Sequence, residues 1–229
     1  MEKRRATRQH TAAVIPAYNE GKHLGDVVRR ALRQLDHLLV VDDGSADDTA
    51  AQARAAGAQV LVHPKNCGKG DSIKNGLRHW IERGMEWVII LDADGQHRPE
   101  EIERFLAAAG SSGGAALLIG NRMNDVAPMP MVRRLVNRYM SRKISRICGQ
   151  EIPDTQCGFR MLRRDLIPAV LEGTNRFDYE TEMLILASRH GFNIESVAIS
   201  TVYSDEVSSI HPVRDTLRFF KLMRRYKKA

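Results

Sequence analysis

Three apolar runs of strand length, each ending on acidic residues, set the strongest limit on what this chain can fold into. The sharpest is Trp87-Val88-Ile89-Ile90-Leu91, which stops at Asp92-Ala93-Asp94-Gly95-Gln96-His97. In extended backbone, residues i and i+2 point to one side, so Asp92 and Asp94 can converge on a single cation. Carboxylates at the carboxyl end of a strand stand where open α/β sheets bind their ligands. A hard divalent cation held by one or two carboxylates completes its shell with water and substrate phosphates. Taken alone, the segment also reads as an ordinary acidic turn, since Asp and Gly are common turn residues. The other two runs tip the balance: one leads into Tyr18-Asn19-Glu20, the other into Asp42-Asp43-Gly44-Ser45, with Asp47 and Thr49 behind.

Apolar runs at 12–16, 38–41, 58–62, 87–91 and 115–119 alternate with helical patterns at 20–35, 47–56, 71–83 and 99–109. Strands alternating with helices of this length predict right-handed βαβ units and a mostly parallel α/β sheet flanked by helices. Parallel strands end together, so the acidic turns should share one edge. Ser45 or Asp47 suits the cap of the second helix, and Pro99 the first turn of the fourth. Further on, 131–147 places Val132, Leu135, Val136, Tyr139, Met140, Ile144 and Ile147 on a helical stripe. Arg133, Arg134, Arg138, Arg142, Lys143 and Arg146 occupy its other face. A helix over 179–190, a strand over 194–199 and a helix over 216–226 complete the reading.

A chain of 229 residues suits one large domain, and 43% hydrophobic with 28% charged residues excludes a disordered one. No apolar run reaches the roughly 18 residues of a bilayer span, and no signal-type stretch follows the basic start. Cys67, Cys148 and Cys157 are too irregularly spaced for a disulfide frame or zinc site, which predicts a reducing cytosol. The net charge of +7 is unevenly spread. Segment 131–148 has six basic residues and no acidic one, and 213–229 has seven against Asp215 alone. Together they carry +12, leaving about −5 for the remainder. That distribution favours an anionic partner such as a phospholipid surface, a phosphorylated lipid or a nucleic acid. A cationic amphipathic helix can lie on an anionic membrane, or can simply be a solvated face.

Crowded carboxylates are costly unless a cation, a shared proton or donor groups stabilise them. One could accept from a nucleobase N–H, another from ribose hydroxyls, and the rest could hold a divalent cation against a diphosphate. Spacing alone does not assign these roles. Asn66-Cys67-Gly68-Lys69-Gly70 precedes a helix, where glycines allow close approach and the helix N-terminus attracts phosphate. The P-loop spacing is missing.

Together these residues resemble the family 2 glycosyltransferases, closest to the dolichol-phosphate mannose synthase-like group. Ile15-Pro16-Ala17-Tyr18-Asn19-Glu20 matches the opening motif, and Val41-Asp42-Asp43-Gly44-Ser45 the acidic element after the second strand. Asn66-Cys67-Gly68-Lys69-Gly70 looks like the Gly-Lys-Gly loop, and Asp92-Ala93-Asp94-Gly95-Gln96-His97 the metal-binding strand end. Gly120-Asn121-Arg122 is similar to the family's Gly-x-Arg, and Asp154-Thr155-Gln156-Cys157-Gly158-Phe159-Arg160 to its Asp-x-x-x-Gly-Phe-Arg element. Segment 177–182 and Ser209-Ile210-His211-Pro212 also look like family features. The resemblance runs from about Thr11 to Leu222.

The resemblance implies a GT-A fold: one Rossmann-like domain over 1–229, with a C-terminal acceptor-side helical region. Its nucleotide-sugar half would be 11–125, its acceptor-side half 126–212, and 213–229 a basic amphipathic helix. Pro16, Tyr18, Glu20, Asp42 and Asp43 would line the nucleoside pocket, with Lys69 and Asp92 also on the donor. Asp92, Asp94 and Gln96 would face Mg²⁺ or Mn²⁺ and the diphosphate. Arg122, Arg134 and Arg160 would meet an acceptor phosphate, although Arg160 equally suits a structural ion pair with Asp154. Asp94 and Asp154 are the catalytic candidates, Asp154 as base if the acceptor is a sugar hydroxyl.

The implied reaction is inverting transfer of a hexose from a GDP-mannose or UDP-glucose type donor to a polyprenyl or dolichyl phosphate. A soluble sugar or glycan acceptor is the alternative. A nucleotidyltransferase would need a glycine-rich loop after the first strand, which is absent. A non-enzymatic basic module for membranes or nucleic acid leaves the acidic strand ends unexplained, since they would repel phosphate backbones. The expected setting is cytoplasmic and peripheral at the membrane face, held by basic helices or by a separate membrane-anchor protein, with no nucleic acid partner.

Overall fold

The computed structural model describes residues 6–111, 114–123, 129, 131–174, 178–200 and 226. After a 3₁₀ turn at Arg8–His10 come β1 (Thr11–Ala17), α1 (Gly21–Leu32), β2 (His37–Asp42), α2 (Thr49–Ala55) and β3 (Gln59–Val62). Then follow α3 (Lys69–Glu82), β4 (Trp87–Ile90), a 3₁₀ turn at Pro99–Glu101, α4 (Ile102–Ser111) and β5 (Leu117–Asn121). The remainder is α5 (Met131–Cys148), β6 (Arg160–Arg163), the short α6 (Ile167–Val170), α7 (Asp178–Arg189) and β7 (Ile194–Ala198). The strands form one seven-stranded sheet in the order β3-β2-β1-β4-β6-β5-β7.

Neighbours pair in parallel except at β6, which runs antiparallel to both β4 and β5. The expected mostly parallel α/β sheet is therefore present, with one reversed strand that the apolar pattern did not predict. The reversal matters for the site. Because β6 is antiparallel, its amino end lies on the edge where β1, β2, β4 and β5 finish. The Asp154–Phe159 approach to β6 thus meets the acidic turns.

Every residue of β1 is buried, and so are all four of β4. Pro16 sits in β1 opposite Val41 of β2. Val14, of the same parity, faces β4, where its carbonyl accepts from the Leu91 N–H. Pairing with β4 stops there, so the N–H that Pro16 lacks removes no ladder bond. Helix α3 lies so close to β1 that a Cβ on Gly76 would stand 2.4 Å from Val14 Cγ1. The Trp80 indole N–H donates to the Ala13 carbonyl at 3.0 Å. These contacts fix α3 with Lys69 at its amino end over the strand edge.

The predicted stripe of α5 divides. Ile144 and Cys148 are buried, and Met140 and Ile147 pack partly against the core. Val132, Leu135, Val136 and Tyr139 are exposed, as is Met131 at 77%. Among the described residues no helix is long and apolar enough to cross a membrane. The expected 216–226 helix and Ser209-Ile210-His211-Pro212 lie outside the described residues, apart from Tyr226. That residue is helical and buried; its hydroxyl donates to Glu182 Oε1 at 2.6 Å, and the Arg189 guanidinium lies 4.5 Å from its ring centre.

Candidate active site

The first two turns are laced together. Asn19 adopts a left-handed backbone (φ 56°), a conformation Asn tolerates better than most residues. Its N–H donates to Ser45 Oγ at 2.9 Å, and its Oδ1 accepts from the Ala46 N–H at 2.9 Å. The Glu20 N–H donates to Thr49 Oγ1 at 2.9 Å and the Gly21 N–H to Asp47 Oδ2 at 3.1 Å. Asp42 accepts from the Ser45 N–H at 3.0 Å and from the Ser45 hydroxyl. Neither Ser45 nor Asp47 caps α2 as expected; both brace the turns, and Asp48 holds the cap position. Tyr18 is left 48% exposed at the mouth, with Pro16 buried beneath.

Asp43 is buried and its carboxylate is occupied. Oδ1 lies 2.7 Å from His63 Nδ1 and accepts from the Cys67 N–H at 2.9 Å; Oδ2 accepts from the Gly68 N–H at 2.7 Å. Asp43, which the resemblance implies at the nucleoside, holds the backbone of the loop that leads from β3 to α3.

Lys69 opens α3, and its ammonium lies 2.7 Å from Asp92 Oδ1 and 2.9 Å from Glu180 Oε2. Burial pushes its pKa down, but the charges of Asp92 and Glu180 more than offset this and hold it well above the usual lysine range. Burial likewise pushes the Asp92 carboxyl up, and Lys69, helped by His97 with Nε2 3.6 Å from Oδ2, brings it far below the carboxylate range. A Cβ on Gly158 would come within 2.2 Å of Asp92 Oδ2, so the glycine backbone covers that oxygen. Burial first, and then the Asp92 charge, raise the pKa of Asp94. Its Oδ1 accepts from the Gln96 N–H at 2.9 Å.

Asp92 Oδ1, Glu180 Oε1 and His97 Nδ1 are buried without a hydrogen bond, Asp92 Oδ1 having only the ionic contact with Lys69. Glu180 thus keeps one buried carboxylate oxygen with no partner, and a hard divalent cation is the kind of group that such oxygens take up. Glu180 was not picked out from the sequence as a site residue. Only its position within the segment 177–182 hinted at it, and its partner Lys69 lies far away in the chain.

On the acceptor side, fully buried Asp154 accepts from Arg122 Nε at 2.7 Å, Arg122 Nη2 at 3.0 Å, the Arg122 N–H at 3.2 Å, Asn137 Nδ2 at 2.9 Å and the Gln156 N–H at 3.3 Å. Burial raises its pKa, and the Arg122 hydrogen bonds and charge bring it below the ordinary value. A saturated, strongly ionised carboxylate is a poor base, which corrects that expectation for Asp154. The expected Arg160–Asp154 pair is replaced by Arg122–Asp154. Arg160 is also not placed for an acceptor phosphate. It is 1% exposed, and its guanidinium donates to the carbonyls of Cys157 at 2.9 Å, Thr155 at 3.1 Å and Glu180. Arg134 stands one turn before Asn137 on α5, its Nε buried without a partner.

A mostly parallel sheet whose strand ends gather paired carboxylates and a lysine-bearing glycine loop is the arrangement of a GT-A-type fold. The solved glucosyl-3-phosphoglycerate synthase of Mycobacterium tuberculosis, in complex with Mn²⁺, UDP and phosphoglyceric acid, has this fold. It superposes with a TM-score of 0.71 at 17% identity, over 95% of this chain and 77% of that one. The model of Glycosyl transferase family 2 matches residues 12–171, and the chain belongs to that family. It is 32% identical to the polyprenol monophosphomannose synthase of Mycolicibacterium smegmatis, over 84% of this chain and 77% of the relative. It is 27% identical to the UDP-N-acetylglucosamine--dolichyl-phosphate N-acetylglucosaminyltransferase of Methanococcus voltae, over 84% and 85%.

Proposed function

We propose that this glycosyltransferase moves a hexose from a nucleotide sugar to a polyprenyl phosphate, with inversion at the anomeric carbon. The observation that carries the acceptor class is the sealed Asp154. A sugar hydroxyl needs a base to remove its proton, whereas a phosphate monoester is already anionic near neutral pH. The relatives named for polyprenol and dolichyl phosphate support the same reading.

Tyr18, Pro16, Glu20 and Asp42 line the nucleoside side of the acid edge. Asp92 and Asp94, with Gln96 beside them, would hold Mg²⁺ or Mn²⁺, which when bound neutralises charge on the departing nucleoside diphosphate. Lys69 adds a second positive charge at the same place. Arg134 receives the acceptor phosphate, and Arg122, whose Nε and Nη2 are taken by Asp154, adds positive charge on that side; a guanidinium stays charged at any working pH. The acceptor oxygen then attacks from the face opposite the departing diphosphate.

The exposed apolar residues of α5 continue from Arg134, flanked by Arg138 and Arg142, and no acidic residue interrupts the helix. Such a surface suits the interface of an anionic membrane, where a lipid-borne phosphate is found. The test offers radiolabelled GDP-mannose, UDP-glucose and UDP-N-acetylglucosamine in turn, with Mn²⁺ and a short polyprenyl phosphate in detergent. Label should pass into the organic phase with one donor and fail to do so in Asp94→Ala. Donor hydrolysis or transfer only to soluble sugars would overturn the lipid acceptor.

A further inference from the structure

The loop after β3 carries a network that the transfer chemistry leaves unused. His63 is buried, and its ring bridges two partners: Nδ1 lies 2.7 Å from Asp43 Oδ1, and Nε2 lies 2.9 Å from Asn75 Nδ2. Arg78 Nη1 donates to Asn75 Oδ1 at 3.0 Å, which turns the amide nitrogen of Asn75 toward His63. An amide nitrogen only donates, so Nε2 accepts. With Nε2 accepting, the Nδ1–H donates to Asp43.

Asp43 also accepts from the Cys67 and Gly68 N–H groups, the two residues immediately before Lys69. The same loop is held from a second side. A Cβ on Gly44 (φ 75°) would stand 2.8 Å from the Lys65 carbonyl carbon, so that turn touches the loop backbone. The ligand atoms of Asp43, His63 and Cys67 lie within 4.8 Å of one another, a grouping of metal-ligand types. Its hydrogen bonds give it another use: both imidazole nitrogens and both Asp43 oxygens already have partners.

The geometry points to His63 as a positioning residue for the donor diphosphate. Through Asp43 it fixes the Cys67-Gly68 backbone, and so aims Lys69 at Asp92 and Glu180. The inference rests on the glycosyl-transfer reading, because the diphosphate is the ligand that Lys69 would meet.

Two substitutions separate this from a merely structural role. His63→Asn keeps an amide donor near the position of Nδ1, whereas His63→Gln moves its amide to the far end and leaves Asp43 short of a donor. The Cys67 thiol reports on the loop directly, because Cys148 and Cys157 are buried with thiols pushed up to about 12. In nucleotide-free protein, His63→Gln should raise the rate of Cys67 modification by a disulfide reagent about tenfold. With Mn²⁺ it should weaken GDP or UDP about tenfold and leave guanosine or uridine unchanged. His63→Asn should behave as the unaltered protein in both assays. Unchanged thiol rate and diphosphate affinity in His63→Gln would overturn the inference. So would equal losses in both variants that extend to the nucleoside. If the unaltered protein binds neither diphosphate, the transfer reading itself fails and the inference falls with it.

Discussion

Asp154 has no exposed surface and holds five donors, so its ionisation is tied to the fold. Its folded pKa is depressed, chiefly by Arg122 acting against burial. The stabilisation is therefore complete above the unfolded carboxyl value of about 3.9 and is lost as pH falls through the folded value. Asp154→Ala leaves the Arg122 guanidinium buried without its counter-charge and should cost about 3–5 kcal/mol by denaturant unfolding. The more conservative Asp154→Asn should keep the acid limb of the pH–rate profile; losing that limb would restore Asp154 as a base. Glu100 is a contrasting case at the surface. It accepts from Arg30 Nε at 2.8 Å and Nη2 at 2.7 Å, and these hydrogen bonds bring its pKa down to about 2. The side chains are 49% and 29% exposed, so solvent limits the pair to less than about 1 kcal/mol. Glu100→Gln should cost that little at pH 7, and its gap from the unaltered protein should close as pH drops from the ordinary carboxylate value toward 2. A gap that stays constant over that range would show the pair contributes nothing.

Helix α3 depends on one missing side chain. Gly76→Ala should destabilise the protein by about 1–3 kcal/mol through overpacking against Val14. Val14→Ala in the same chain should recover part of that loss, measured as a double-mutant cycle; strict additivity would mean the contact is not the cause. Helix α5 is the opposite case, with apolar residues that the core does not need. Leu135→Glu with Val136→Glu should change stability by no more than about 0.5 kcal/mol per site. Sedimentation with anionic vesicles should be lost, and retained binding would remove α5 as the membrane face. These two helices also mark what the sequence could convey. The period of 131–147 announced a helix and its apolar stripe, but periodicity cannot say which part of a stripe is covered, and among the described residues Val132, Leu135, Val136 and Tyr139 are left exposed. Strand β6 was illegible for a different reason: it is four residues long with Arg160 and Arg163 at its ends. Backbone carbonyls bind those guanidinium groups in the interior, a pairing that no local pattern shows.

Across the whole molecule, the acidic turns lie on one sheet edge and the basic excess falls in the C-terminal half of the sequence. Turns after β1, β2 and β4 were legible because each apolar run stops abruptly at a carboxylate, and a parallel sheet brings such stops together. The partners that decide each carboxylate's role were not legible, because they come from distant segments. Lys69 reaches Glu180 on α7, Asp43 holds His63 beyond β3, and Arg122 takes Asp154, for which the sequence had suggested Arg160. The central claim is that these turns form one metal-dependent nucleotide site. Titration calorimetry of GDP and UDP, with Mn²⁺ and then with excess chelator, tests it most directly in the unaltered protein and in Asp94→Ala. One nucleotide should bind with the metal, lose most of its affinity without it, and bind weakly to Asp94→Ala under either condition. Affinity that is indifferent to both the chelator and Asp94 would contradict the account.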